Sequence, residues 1–326
     1  MDDRERMSGH VPVRRDMSQR YSAGGFTYPF GSYPEEEFRQ REGYDSRYLK
    51  EDDCFYYEVI LSHEKTLGAF LALCELLTEK VYLVVKINSG DYYRDHDTYI
   101  SEEMINRNEL LSWVDGWKDV VLDDGFFGFG MFAEGGGAEV FLDDHKTIHV
   151  YHKDPDVMES ALAKMGVPFM MDIKFFWDGP HYHEPLPLDE DYGDDYLTAF
   201  EDLADLHELY LDEDENDDTA PDGDPIGITC WKVEIRGFVP VSASRPVAQG
   251  FYSTLYVNAE SRKDVSELVD EYLAGREEQV DLYLQMARVP FELLTSEMRL
   301  KNPGPNEPAV WHESERVVFD WDSALD

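Results

Sequence analysis

The residues best suited to chemistry are His181-Tyr182-His183-Glu184. In an extended backbone alternate side chains share a face, so His181 and His183 point the same way, with the Glu184 carboxylate adjacent in sequence. Neutral imidazole nitrogen and carboxylate oxygen are ordinary ligands of zinc and other divalent ions. His181, His183 and Glu184 are therefore the candidate metal ligands. Such a site needs a third or fourth donor, and His145, His149 and His152 can supply one only if the fold brings them near. His149 and His152 fall on opposite faces of a strand and cannot both serve one ion without a bulge. The competing reading is a polar loop that follows Gly179-Pro180.

Other familiar spellings fail. Gly128, Gly130 and Ala133 match a dinucleotide fingerprint by letters, but that motif needs a helix to start at its third small residue. Gly135-Gly136-Gly137 follows at once, and no basic residue lies between Lys118 and Lys146 to meet a phosphate. The segment reads instead as a buried strand and a turn. Asp214, Asn216 and Asp218 begin an EF-hand pattern, but Thr219 stands where its glycine belongs and Pro225 where its bidentate glutamate belongs. The G-x-S-x-G, P-loop and HExxH motifs are absent.

Charge gives the second signal. Seventy acidic residues against 29 basic ones leave a formal charge of −41. A field of that sign repels nucleic acid and anionic membranes and attracts cations and basic proteins. No direct contact with a nucleic-acid backbone and no membrane association are expected. Residues 184–226 carry 18 carboxylates, and no Lys or Arg occurs from Phe175 through Trp231. Inside this stretch Leu197, Phe200, Leu203, Leu206 and Tyr210 recur at helical spacing. Glu201, Asp202, Leu203, Asp205, Leu206, Glu208, Tyr210 and Asp212 form the candidate partner-binding surface, with acidic groups to steer a basic protein and apolar ones to anchor it. The leading functional reading is a non-catalytic acidic binding protein, an adaptor or an inhibitor of the immunity type. One alternative is a metal-dependent hydrolase using the His-x-His-Glu site, its cofactor a divalent metal. Another is a structural subunit of a homo-oligomer held by its N-terminal arm. Scarce lysine, 12 against 17 arginines, also fits a cytoplasm rich in salt.

The elements that must position these residues suggest an α+β protein. Two modules are expected, each a small mixed or antiparallel sheet with helices on one face, joined by an acidic linker. Residues 1–50 read as a flexible arm, 51–180 as the first module, 181–226 as the linker with an amphipathic helix, and 227–326 as the second module. Residues 54–87 spell strand, helix, strand. Val140–Leu142 and Thr147–His152 resemble a hairpin, Asp154-Pro155 starts a helix, and Phe169–Trp177 reads as a returning strand. Ser261 caps a second-module helix that ends at Gly275. The three cysteines, Cys54, Cys74 and Cys230, are far apart and read as buried free thiols. No apolar stretch follows the N-terminus, and a cytoplasmic location is expected.

Overall fold

The structure, a computed structural model, describes residues 20–186, 195–212, 225–241, 249–302, 304 and 306–320. The chain is mixed α+β and divides into two compact units, one of residues 1–87 and 98–212, the other of residues 88–97 and 213–326. Among the described residues, no helix is long and apolar enough to cross a membrane.

The described part of unit 1 opens on a hairpin. Gly24 and Gly25 take φ of 64° and 92°, which turns β1 (Ser22–Ala23) onto β2 (Phe26–Thr27). Successive positive φ values match the natural twist of paired strands, and glycine adopts them without strain. β3 (Ser32–Pro34) and β4 (Gly43–Leu49) follow. Phe26, Tyr28 and Tyr33 are buried with Ile173, Phe175 and Phe176. The expected arm over 1–50 is thus corrected from residue 20 onward. Its aromatic side chains share a small core with Ile60, Ile173, Phe175 and Phe176, and β4 pairs along its length with the next strand. Residues 1–19 lie outside the described residues.

β5 (Cys54–Ile60), α1 (His63–Cys74) and β6 (Lys80–Asn88) form the strand–helix–strand unit that the sequence spells. β7 (His96–Ser101), β8 (Ile105–Asn106), α2 (Arg107–Gly116) and α3 (Lys118–Asp123) lead to β9 (Phe127–Phe132). β10 (Ala138–Leu142) and β11 (Ile148–His152) pair as an antiparallel hairpin. α4 (Pro155–Met165) is fixed at both ends by its own sequence. Asp154 accepts the N–H groups of Asp156 and Val157, proline opens the first turn, and Gly166 closes the helix at φ 74°. β12 (His181–His183), α5 (Tyr196–Leu206) and β13 (Leu209–Leu211) complete the unit.

Nine strands make its main sheet, in the order β13-β7-β6-β9-β10-β11-β5-β4, with β8 beside β6. Tyr57 and Val59, Leu83 and Val85, Phe127 and Phe129, Val140 and Leu142, and Ile148 and Val150 all enter one core, and all five helices bury side chains in it, among them Phe70, Leu110, Val121, Leu162 and Leu203. This period-two alternation is what one covered sheet face requires. Each large side chain fully buried there contributes roughly 1.5–3 kcal/mol.

Two readings change here. Phe169–Trp177 does not return as a strand: Phe169 makes an isolated bridge to Tyr44, and residues 176–178 wind into a 3-10 turn, because Phe175, Phe176 and Trp177 join the Tyr28 core. The described parts of the expected linker belong to unit 1. α5 buries Ala199 and Leu203, and β13 pairs with β7. The sheet is larger than the small one expected because β4 and β13, read as arm and linker, extend its two ends. Residues 187–194 and 213–224 of that span lie outside the described residues.

Unit 2 contains β14 (Thr229–Val239), β15 (Gln249–Ala259), α6 (Arg262–Ala274), β16 (Gln279–Arg288), α7 (Ser296–Lys301) and β17 (Ala309–Asp320). Its four strands run in the order β16-β14-β15-β17, each pair antiparallel. Ser261 accepts the N–H of Asp264 to start α6, whose Val265, Val269 and Leu273 bury against Trp231, Val233, Ile235, Leu255 and Val257. Residues 88–97 are held in this unit by Asp91, which pairs with Arg288 where both side chains are 1% exposed.

Candidate metal centre

The turn between β10 and β11 holds two donors in place. Thr147 N–H donates to Asp143 Oδ1 at 2.7 Å, Asp143 N–H donates to Thr147 O at 3.0 Å, and Lys146 takes a left-handed φ of 65°. A side chain rarely adopts that conformation unless its surroundings impose it. Here Lys146 is fully enclosed, its Nζ donating to Phe127 O at 2.6 Å, and burial pushes its pKa down. Asp144 and His145 sit inside this locked turn.

β12 brings the other histidines. It pairs with β3, His181 opposite Pro34 and His183 opposite Ser32. Its C-terminal side is fastened by backbone bonds, Glu184 N–H to Gly31 O at 2.8 Å and Gly125 N–H to Glu184 O at 3.0 Å.

The two segments meet in a cluster of imidazoles and carboxylates. Asp144, His145 and His183 offer ligand atoms that all lie within 4.8 Å of one another. His145 Nδ1 is 3.1 Å from Asp144 Oδ1, and His183 Nε2 is 3.0 Å from Asp144 Oδ2. The His145 and His183 rings stack with centroids 4.9 Å apart. His145 Nε2 lies 3.1 Å from His181 Nε2, and His181 Nδ1 lies 2.9 Å from Gly179 O. Trp177 and Phe126 pack beside the rings of His145 and His183. The side chains of Asp144, His145 and His183 are 11–24% exposed, so the cluster is sheltered without being sealed. A cavity of about 10 Å³, on the scale of one water molecule, adjoins it and is lined by His63, Thr66, His145 and Lys146 among apolar groups.

A second row of groups stands behind the first. Asp143 Oδ2 is 2.9 Å from His149 Nε2 and 3.8 Å from His145 Nδ1, and His149 Nδ1 is 2.6 Å from the Tyr56 hydroxyl. Burial alone would raise the Asp143 carboxyl, but the neighbouring imidazoles of His149 and His145 hold it down to about 2. Burial alone would lower His145, and the carboxylates of Asp143 and Asp144 instead push it up to about 9. His181 is lowered, by burial and by the two other imidazoles, against the pull of the Gly179 carbonyl. Carboxylates that receive a ring N–H are the usual outer partners of metal-bound histidine, because they fix the tautomer and the ring orientation.

Of the three ligands expected from sequence, His183 is in the clustered group and His181 adjoins it through His145. Glu184 is outside the group, and Asp144 provides the carboxylate. Of the other histidines considered, His145 joins the cluster. His149 sits behind it on Asp143, and His152 instead bonds through Nδ1 with the backbone of Asp154.

The eight residues of the expected partner surface separate. Leu203 is fully buried. Asp202 accepts the indole N–H groups of Trp113 and Trp117 at 2.7 and 3.0 Å; both therefore hold unit 1 together. Glu201, Asp205, Leu206, Glu208, Tyr210 and Asp212 remain exposed. Comparison of the chain with family models, with curated proteins and with solved structures gives no match.

Proposed function

We propose that this protein holds a divalent transition-metal ion through Asp144, His145 and His183, with His181 as the adjoining imidazole. One observation carries the reading. The Asp144 carboxylate faces two imidazole nitrogens at once, His145 Nδ1 at 3.1 Å and His183 Nε2 at 3.0 Å, and ligand atoms of all three residues lie within 4.8 Å of one another. An ion bound tetrahedrally at about 2.0–2.1 Å from each donor would separate neighbouring donors by about 3.3 Å, close to the spacing already present. A proton on His145 answers the same geometry, so ion and proton compete for one place. The charge of −41 favours any cation there. Three donors in a partly open setting leave the fourth tetrahedral position for water, which an ion of this kind activates for hydrolysis.

The test is zinc titration of untagged protein purified without chelator, followed by calorimetry and by metal analysis after gel filtration. One ion per chain is expected to remain bound. The double variant His181→Ala, His183→Ala should weaken binding by more than the 10–100-fold typical of an outer partner, with the fold intact by circular dichroism. Absence of stoichiometric binding to the unaltered protein would overturn the reading.

A second reading, recognition of a basic protein, is favoured by the exposed side of α5 and β13. There Leu206 and Tyr210 are 57% and 50% exposed among exposed Glu201, Asp205, Glu208 and Asp212. A complex isolated from the host lysate should contain a basic protein, dissociate as salt is raised, and be lost in the Leu206→Asp, Tyr210→Ala variant. Retention of the same complex by that variant would remove this surface from consideration.

A further inference from the structure

The main sheet of unit 1 ends at β13, and its outer edge has a defined hydrogen-bonding pattern. Glu102 N–H donates to Glu208 O at 2.9 Å and Asp212 N–H donates to Thr98 O at 2.8 Å. Between these two contacts Leu209 opposes Ser101, Tyr210 opposes Ile100 and Leu211 opposes Tyr99. In an antiparallel ladder every second residue turns its N–H and C=O toward the neighbouring strand. Glu208, Tyr210 and Asp212 are therefore the positions bonded to β7, and Leu209 and Leu211 direct their backbone groups outward. Among the described residues, no strand pairs on that side.

An edge of this kind is a template for another strand, and proteins commonly blunt one with lysine or proline. This edge has neither. From Phe175 through Trp231 the chain contains no Lys or Arg, and 208–212 contains no Pro. Glu208, Tyr210 and Asp212 share one face by the two-residue period, and all three are exposed. That face sets two carboxylates on either side of a half-exposed aromatic ring.

We infer that β13 is a docking edge that receives an extended basic segment of a partner protein as an additional antiparallel strand. The inference rests on the reading of this surface as a site for a basic protein, and it specifies the mode. Backbone bonds to Leu209 and Leu211 supply affinity, and the exposed face selects sequence. Opposite Asp212, Tyr210 and Glu208 the partner presents a basic side chain, an apolar or aromatic one, and a basic one, at alternate positions. Cross-strand pairs of opposite charge and of aromatic with β-branched or aromatic groups are the favourable ones in antiparallel sheets, and strand addition of this type combines main-chain bonds with alternate side-chain selection.

The probe is a synthetic peptide of about six residues in which lysine, valine, tyrosine, valine and lysine succeed one another. It is compared with the same peptide N-methylated at the backbone positions that would face β13. Fluorescence anisotropy on the full chain should show salt-sensitive binding of the first peptide. N-methylation should weaken it about tenfold or more, the equivalent of one or two hydrogen bonds. Leu211→Pro, which removes an outward N–H that β7 does not use, should have a similar effect. Because that variant could disturb the fold, the methylated peptide provides the same test on unaltered protein. Equal affinity for the two peptides would overturn strand addition while leaving an acidic binding surface in place. Failure of both to bind at low salt would remove the surface reading and this inference together.

Discussion

Asp91→Ala is expected to destabilise unit 2 by about 3–5 kcal/mol, the usual consequence of removing one member of a buried ion pair. Asp91 and Arg288 are each 1% exposed at the side chain. Arg288 Nε reaches the two carboxylate oxygens at 3.0 and 2.8 Å, and the Arg288 N–H donates to Oδ2 at 3.1 Å. Asp91 Oδ1 also accepts the N–H of Tyr93 at 2.8 Å. The guanidinium lies over the rings of Trp231 and Tyr93, at 5.1 and 5.5 Å from their centroids. Removal of the carboxylate takes away its bonds to the Arg288 guanidinium and to the backbone N–H groups of Arg288 and Tyr93, at a place where both side chains are 1% exposed. Because a two-unit chain need not unfold in one step, the measurement is hydrogen exchange resolved by peptide. Protection in β14 and β16 should fall by two to three orders of magnitude, about 1.4 kcal/mol for each, and the core strands of unit 1 should be unaffected. The double variant Asp91→Ala, Arg288→Met should recover most of the loss, since an apolar replacement of a buried pair is often tolerated. A single variant that keeps native protection would mean that the other contacts of Arg288 hold its charge without Asp91.

The contrast between this pair and the histidine cluster shows what the sequence can disclose. Strands with a covered face announce themselves locally, as do capped helices. Val81–Ile87 alternates its core side chains, and α4 begins and ends on residues with one conformational role, Pro155 and Gly166. The Asp91–Arg288 contact joins positions far apart in the chain, and no spacing rule reaches it. Within the candidate site, His181 and His183 were legible because two-residue spacing on a strand is itself a geometric statement. Glu184 is adjacent in sequence, yet the same alternation sends it to the opposite face. Asp144 carried little signal because Asp143-Asp144 reads as ordinary turn chemistry, on a chain with 70 carboxylates.

The acidic helix shows a different limit. Leu197, Phe200, Leu203 and Leu206 repeat every three residues, and a helix of 3.6 residues per turn carries such a series around its circumference. Leu197 and Leu206 accordingly emerge 45% and 57% exposed, while Ala199 and Leu203 are fully buried. The true inward stripe is Tyr196, Ala199, Phe200 and Leu203, with the mixed three-and-four spacing of a surface helix. A periodicity assigned to partner binding was thus partly the signature of packing. The acidic character of the outer side does not depend on that distinction, because the exposed residues that remain are mostly carboxylates.

Gly31→Ala is expected to damage both the fold of unit 1 and the histidine cluster, although Gly31 donates no ligand. Three backbone segments cross at this residue. Gly31 N–H donates to Asp123 O at 2.7 Å, and its carbonyl accepts from Glu184, whose own carbonyl accepts from Gly125. A Cβ on Gly31 would stand 2.3 Å from Gly125 N, 2.4 Å from Glu184 O and 2.6 Å from Asp123 O. All three are backbone atoms, so no side chain can swing aside to relieve the overlap. Overpacking of this kind typically costs about 1–3 kcal/mol, and the absence of a flexible neighbour places Gly31 at the upper end. The strain falls on the segment that carries His181 and His183 toward Asp144 and His145. A lowered melting temperature should therefore be accompanied by weaker zinc binding at temperatures where the variant is still folded. Gly68→Ala is the matched control. Gly68 lies within α1 with open space where its Cβ would be, and alanine there should stabilise by about 0.5–1 kcal/mol. If Gly31→Ala instead melts and binds zinc as the unaltered protein does, the crossing of the three backbones does not position the cluster, and the turn from Asp143 to Thr147 must do so alone.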